Sequence, residues 1–251
     1  MNTGVHDATN LIWKLAGTLK GWYKPSVLST YASERRSAAQ KLIDIDRLAA
    51  AFVSGDIPAN LAGLGATPED ALQAVMQKNM SFNIGLGVSY DAGLLNQPIE
   101  VTNLKMGMRS ADAMLYAPGP AIPLRLHGIT HKENRGRWSV LVFAGYHYLT
   151  KDKVATLRER ITADGSKFNA WASSLNLATI MVGRVNSAWE AFDGPAIGRL
   201  YFDTESQAHS RYGVYNSSGA IVVVRPDGIV AYAAALDQLD KVEAFFEPIF
   251  Q

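Results

Sequence analysis

Residues 220–233 read AIVVVRPDGIVAYA. Two runs of mostly β-branched and small apolar residues, 220–225 and 229–233, flank Pro226-Asp227-Gly228. Proline presets φ and glycine accepts a positive φ, so this spacing predicts a β-hairpin. Working outward toward the N-terminus, further apolar runs predict strands at 138–143 (WSVLVF), 178–183 (ATIMVG) and 199–202 (RLYF). Helical patterns at 151–163, 167–174 and 205–211 separate them, and another at 236–247 follows the hairpin.

The first half of the chain has a different character. Val5, Ala8, Leu11, Ile12, Leu15 and Leu19 recur at helical spacing over 4–20, with Thr3 available as N-cap and Gly21 just past the end. A second, longer helix is expected over 27–53, carrying Leu28, Tyr31, Leu42, Ile45, Leu48, Ala49 and Phe52 around a charged face of Glu34, Arg35 and Arg36. That charged face predicts a solvated or inter-helix ion-pair surface. Segment 54–66 (SGDIPANLAGLGA) marks a linker, and Thr67-Pro68-Glu69-Asp70 opens a third helix running to about Lys78. Residues 83–123 carry turn residues every few positions and predict an irregular connection. A strand, a helical crossover, a second strand, another helix, then a hairpin and a terminal helix is the order of a thioredoxin-like α/β sandwich. The expected architecture is therefore α/β, with a helical segment over 1–80, an irregular connection over 81–123 and a cysteine-free thioredoxin-like sandwich over 124–251.

Composition narrows the function. The 251 residues carry 24 Lys+Arg against 23 Asp+Glu with no block of like charge, so no basic stripe for nucleic acid is present. Cysteine is absent, which removes disulfides, thiolate metal sites and thiol redox chemistry, and fits a reducing, cytoplasmic setting. No apolar run approaches the ~20 residues that a membrane span needs.

Met1-Asn2-Thr3-Gly4-Val5-His6-Asp7-Ala8-Thr9-Asn10-Leu11-Ile12-Trp13-Lys14-Leu15 resembles the GMNTGxxDAxNLxWKL run of class A FAD-dependent aromatic hydroxylases, in particular those of the phenol 2-monooxygenase type. The likeness continues through Trp22, Tyr31, Ser33-Glu34-Arg35-Arg36 (the family's Y-x-x-ERRP) and Ile43-Asp44-Ile45-Asp46-Arg47. Gly85-Leu86-Gly87-Val88-Ser89-Tyr90, Trp138–Gly145 and Val224-Arg225-Pro226-Asp227-Gly228 resemble the C-terminal part of the same enzymes.

The resemblance implies that Met1, Asn2, Thr3 and Gly4 are flavin-contacting positions, where helix N–H groups and the helix dipole stabilise negative charge on the reduced ring. It also implies a thioredoxin-like domain that serves dimer contacts, and hence a homodimer. The family's GxGxxG fingerprint and the acid for the ribose are not found, and Gly85-Leu86-Gly87 follows no predicted strand. The chain is thus expected to be a truncated hydroxylase without the dinucleotide-binding part. By itself it would bind no FAD tightly, acting as a dimerisation or scaffold module or needing an upstream part for hydroxylation. The alternative is a repurposed cofactor-free enzyme, a cyclase, isomerase or Diels–Alder-type pericyclase, acting on a hydrophobic small molecule.

Other candidates come from the residues themselves. His6 and Asp7 could form an acid/base pair, although neighbours on a helix point apart. His147, in Tyr146-His147-Tyr148 after the first core strand, and Arg184 after the next, stand where α/β sheets usually place ligands. Candidate catalytic residues are therefore His147, Arg184 and Asp7, each weighed against a structural role. His127 and His131 are four apart, yet Gly128 and Thr130 predict a turn and no nearby acid completes a ligand set, so no metal is expected. Trp13, Trp22, Trp138, Trp171 and Trp189 are expected in core or interface.

Overall fold

The apolar runs assemble into one mixed sheet in the computed structural model, which describes residues 2–56, 67–119, 122–184, 190 and 192–251. Its strands are β1 (Met114–Tyr116), β2 (Pro123–Arg125), β3 (Trp138–Gly145), β4 (Leu175–Val182), β5 (Arg199–Asp203), β6 (Ala220–Val224) and β7 (Val230–Ala234). Their order across the sheet is β2-β1-β5-β4-β3-β6-β7. Strands β3, β4 and β5 run parallel, while β6 pairs antiparallel with β3 and β7 antiparallel with β6. The described helices are α1 (Asn2–Leu19), α2 (Pro25–Val53), α3 (Pro68–Lys78), α4 (Met80–Asn83), α5 (His147–Thr162), α6 (Lys167–Ala170), α7 (Gln207–Arg211) and α8 (Leu239–Phe246). The β3-α5-β4 crossover and the β6-β7-α8 hairpin unit, joined through the β3–β6 pair, are the thioredoxin-like core that the element order predicts. Met1, most of the 54–66 linker and Trp189 lie outside the described residues.

Every residue of β3 is buried, as a strand covered on both faces must be. Val140 and Val142 face a layer that includes Val154 and Leu157 of α5 and Val242, Phe245 and Phe246 of α8. Leu141 and Phe143 face the other layer, with Ala208 of α7, Tyr212, Leu115 and Ile129. The N-terminal helices join the first layer. Trp13 sits edge-on to Trp138 at 5.6 Å and to Tyr23 at 5.6 Å, and the Tyr23 ring lies 5.8 Å from Phe250. Gly17 is required there, because a Cβ would fall 2.0 Å from the Tyr23 ring.

Some elements depart from expectation for local reasons. Thr3 lies inside the first turn of α1, so it is not the N-cap. Helix α5 starts at His147 instead of 151, held by a Leu149 N–H to Tyr146 carbonyl bond and by the Thr150 hydroxyl on the Ala144 and Tyr146 carbonyls. The 167–174 pattern divides at Trp171 into α6 and a 3-10 turn over Ala172–Ser174. The stretch predicted as irregular contains β1, whose three residues pair with β2 and whose ladder with β5 is the single pair Tyr116–Phe202. Strands this short leave no alternation to detect. Residues Gly128–Lys132 form one π-helical turn.

Candidate functional site

Three motifs far apart in sequence meet at one buried point. Asn10 and Lys14, one helical turn apart on α1, and Glu34 of α2 face the Arg225–Gly228 turn of the hairpin. Glu34 accepts from Lys14 Nζ at 2.7 Å, Asn10 Nδ2 at 2.8 Å, and Arg225 Nη1 and Nη2 at 2.7 and 3.0 Å. Arg225 turns its remaining edge to Asp227, donating from Nε at 3.0 Å and from Nη2 at 2.7 Å, and Nη1 also reaches Asn96 Oδ1 at 3.2 Å. Its guanidinium lies 5.4 Å from the Trp13 ring centre and 5.0 Å from that of Tyr90. Lys14 and Arg225 are wholly inaccessible to solvent. The turn closes through Gly228 N–H to Arg225 carbonyl, and Gly228, at φ 79°, packs so that any Cβ would meet the His131 ring.

The ionisation directions in this cluster differ between partners. Burial alone would push the Glu34 carboxyl up, but the Arg225 charge and hydrogen bonds, then those of Lys14, outweigh it and hold Glu34 at about 2. Burial pushes the Lys14 ammonium down to about 8, against the pull of Glu34. For Arg225, burial opposes the charge, yet Asp227 and Glu34 more than offset it and keep the group protonated. Arg225 grips Glu34 through two nitrogens and Lys14 does so through one, so the Glu34–Arg225 pair is the firm bond and Lys14 the buried third member. The charged face of α2 is accordingly an inter-helix ion pair at Glu34 and not a solvated one.

A second tie runs beside the first. Arg35 Nε donates to Asp7 Oδ1 at 2.5 Å and Nη1 to the Tyr90 hydroxyl at 3.2 Å. Asp7 is thereby engaged with Arg35, while His6 turns toward Gly85. His6 lines a cleft with Thr9, Tyr90, Arg109 and Asp227, and its pKa is lowered by burial, then by Arg35 and Arg109. Asn2, Thr3 and Gly4 form the first turn of α1, and a Cβ on Gly4 would meet nothing within 4 Å. Gly85 and Gly87 follow α4 and no strand, and Gly87 packs on the Ser81–Phe82 backbone, so they cradle no pyrophosphate.

The profile of the phenol hydroxylase C-terminal dimerisation domain matches residues 88–251, and that of the FAD binding domain matches residues 1–46. The chain belongs to the phenol hydroxylase dimerisation-domain family. Among curated relatives of this family member, 3-hydroxybenzoate 4-monooxygenase of Comamonas testosteroni is 30% identical over 281 residues, covering 98% of this chain and 43% of its own length. An FAD-dependent monooxygenase of Aspergillus hancockii is 27% identical, covering 100% of this chain and 48% of its own length. The chain therefore spans under half of these relatives. Its fold is shared with the solved flavin-dependent monooxygenase PieE, at 19% identity and a TM-score of 0.58, covering 98% of this chain and 44% of that one.

Within this dimerisation-family domain the remaining candidates separate. His147 is the half-buried first residue of α5, its ring edge-on to Tyr148, and Arg184 is exposed past β4. Among the described residues no hydrogen bond or ion pair joins the two. The rings of His127 and His131 do approach, to 4.4 Å, across the π-helical turn. His127 Nε2 is engaged by the Ser110 carbonyl and His131 Nδ1 by the Thr130 hydroxyl, and burial pushes His131 down to about 4. No group of three or more ligating side chains suited to a metal occurs among the described residues. Sequence reading missed His209 and Asp203, both fully buried. His209 Nδ1 lies 2.8 Å from Asp203 Oδ2, and His209 Nε2 accepts from the Gly145 N–H at 3.0 Å. With that lone pair occupied, the dyad fixes the end of β3 and offers no free base. No described helix is long and apolar enough to cross a membrane.

Proposed function

We propose that these residues form the flavin-facing helix and the dimerisation part of an FAD-dependent aromatic hydroxylase. The observation that carries this reading is the orientation of α1. Its polar side, Asn10 and Lys14, is locked onto Glu34 and the hairpin, while Val5, Ile12, Leu15 and Leu19 stay uncovered. A helix held this way presents its first turn and an apolar stripe to further protein, as the FAD-binding match over residues 1–46 leads one to expect.

Of the contacts that FAD requires, the residues here fit one. The first-turn N–H groups of α1, at Asn2, Thr3 and Gly4, have no intrahelical acceptor and suit the pyrimidine edge of the ring, with Met1 assigned to the same contact by resemblance. Bound flavin would supply the oxygen chemistry of hydroxylation on an aromatic substrate. The pyrophosphate and ribose contacts would come from a separate dinucleotide-binding part. A cofactor-free cyclase would call for an apolar cavity, whereas the clefts beside α1 mix Val5, Leu42, Phe82 and Val88 with the charged or polar His6, Arg35, Arg109 and Asp227.

The test is to purify these 251 residues, incubate them with FAD, remove free flavin and measure visible absorbance and light scattering. A colourless protein of twice the chain mass is expected. A yellow preparation with one flavin per chain that consumes NADPH would overturn the need for another part.

A further inference from the structure

Residues 88–251 belong to a dimerisation domain, yet six large apolar side chains within the described part of that stretch are exposed: Met108, Ile122, Tyr146, Tyr148, Leu149 and Tyr215. Four of them gather at one corner of the fold. Tyr146, Tyr148 and Leu149 stand where β3 passes into α5, with relative exposures of 37%, 63% and 51%. Tyr215, 66% exposed, lies in the loop leading to β6, and that loop is tied to the corner by the Tyr146 N–H to Asn216 carbonyl bond at 2.7 Å. Gly145 makes this junction possible. At φ 64°, a Cβ there would fall 2.1 Å from the Asn216 carbonyl oxygen.

The Tyr146 and Tyr148 rings stack on each other at 5.6 Å and 24°. The pair is therefore organised before any partner arrives, which lowers the entropy cost of association. Surface tyrosines clustered with a leucine are the composition of an interface centre, and uncovered patches of this kind are uncommon on soluble monomers.

We propose that Tyr146, Tyr148, Leu149 and Tyr215 form the surface through which two copies of this chain meet, related by a two-fold axis so that the patch packs on itself. This rests on the dimer reading above and assigns it a location.

Sedimentation velocity across a concentration series on the full chain, Tyr148→Asp, Tyr215→Asp and the control Ile122→Asp tests it, with circular-dichroism melting to confirm folding. The full chain and Ile122→Asp are expected to be dimers. Each tyrosine variant should self-associate at least ~30-fold more weakly, as for loss of an interface hot spot, with melting unchanged. Dimers that persist in both tyrosine variants would overturn this surface and leave the dimer reading standing, as would loss of the dimer in Ile122→Asp alone. A monomeric full chain would defeat the dimer reading and this surface with it.

Discussion

Glu34→Gln and Lys14→Met should have very different costs, although the two side chains are bonded to each other. Glu34 receives four hydrogen bonds of 3.0 Å or less, two of them from a buried guanidinium. Glutamine would keep a single acceptor oxygen and turn an NH2 group toward other donors, leaving the wholly buried Arg225 short of half its counter-charge. Breaking a buried pair in this way costs about 3–5 kcal/mol. The displacement of Glu34 to about 2 from its usual value of 4.5 gives the same order, ~3 kcal/mol at 1.36 kcal/mol per pH unit. Lys14 points the other way. Burial costs its charge hydration and pushes it down to about 8 against the pull of Glu34, and Arg225 still balances Glu34 when Lys14 is lost. Methionine fills a similar volume without that cost, and Lys14→Met is expected to change stability by no more than ~1 kcal/mol in either direction. Urea unfolding followed by tryptophan fluorescence measures both, since Trp13 lies against Arg225 and its emission reports on the cluster. The midpoint should fall strongly for Glu34→Gln at an unchanged slope, and little for Lys14→Met. Equal losses, or a Glu34→Gln cost below ~1 kcal/mol, would refute the view that Glu34–Arg225 is the firm bond and Lys14 the tolerated guest.

Two further outcomes follow from the same structure. Because the folded pKa of Glu34 lies below its unfolded value, its contribution is fully present above about 4.5 and is lost as pH falls toward about 2; the stability difference between the native chain and Glu34→Gln should therefore shrink over that range in acid-unfolding curves, and a constant difference would contradict the assignment. His209→Ala should strip the Asp203 carboxylate of its ring partner and leave the Gly145 N–H unbonded, at a cost of about 3 kcal/mol or more, whereas His147→Ala, at a half-buried position, should cost no more than ~1 kcal/mol; thermal melts of the two variants side by side check this contrast.

What the sequence could convey was set by the range of the interactions. The hairpin was legible because Pro226-Asp227-Gly228 and its flanking strands are local, and β3, β4 and β6 were legible because buried strands read as unbroken apolar runs. Strands β1 and β2 were not, since three residues carry no period. The larger gap concerns α1. Its helical spacing was read correctly, but spacing alone does not say which face packs inward within this chain: Asn10, Trp13 and Lys14 are buried while Val5, Ile12, Leu15 and Leu19 are exposed. Asn10, Lys14, Glu34 and Arg225 each look like surface residues in isolation, because the bonds to Glu34 that bury them join positions 20 to 191 apart. Three-dimensional packing brings the WKL, ERR and RPDG runs together, and each supplies a charge or donor that the others bury. A helix whose polar side is locked inward at the expense of its apolar side has its orientation set by that lock. The bonds from Asn10 and Lys14 to Glu34, which Arg225 holds in place, are thus what would aim the first turn of α1, and with it Asn2, Thr3 and Gly4, at whatever covers the stripe.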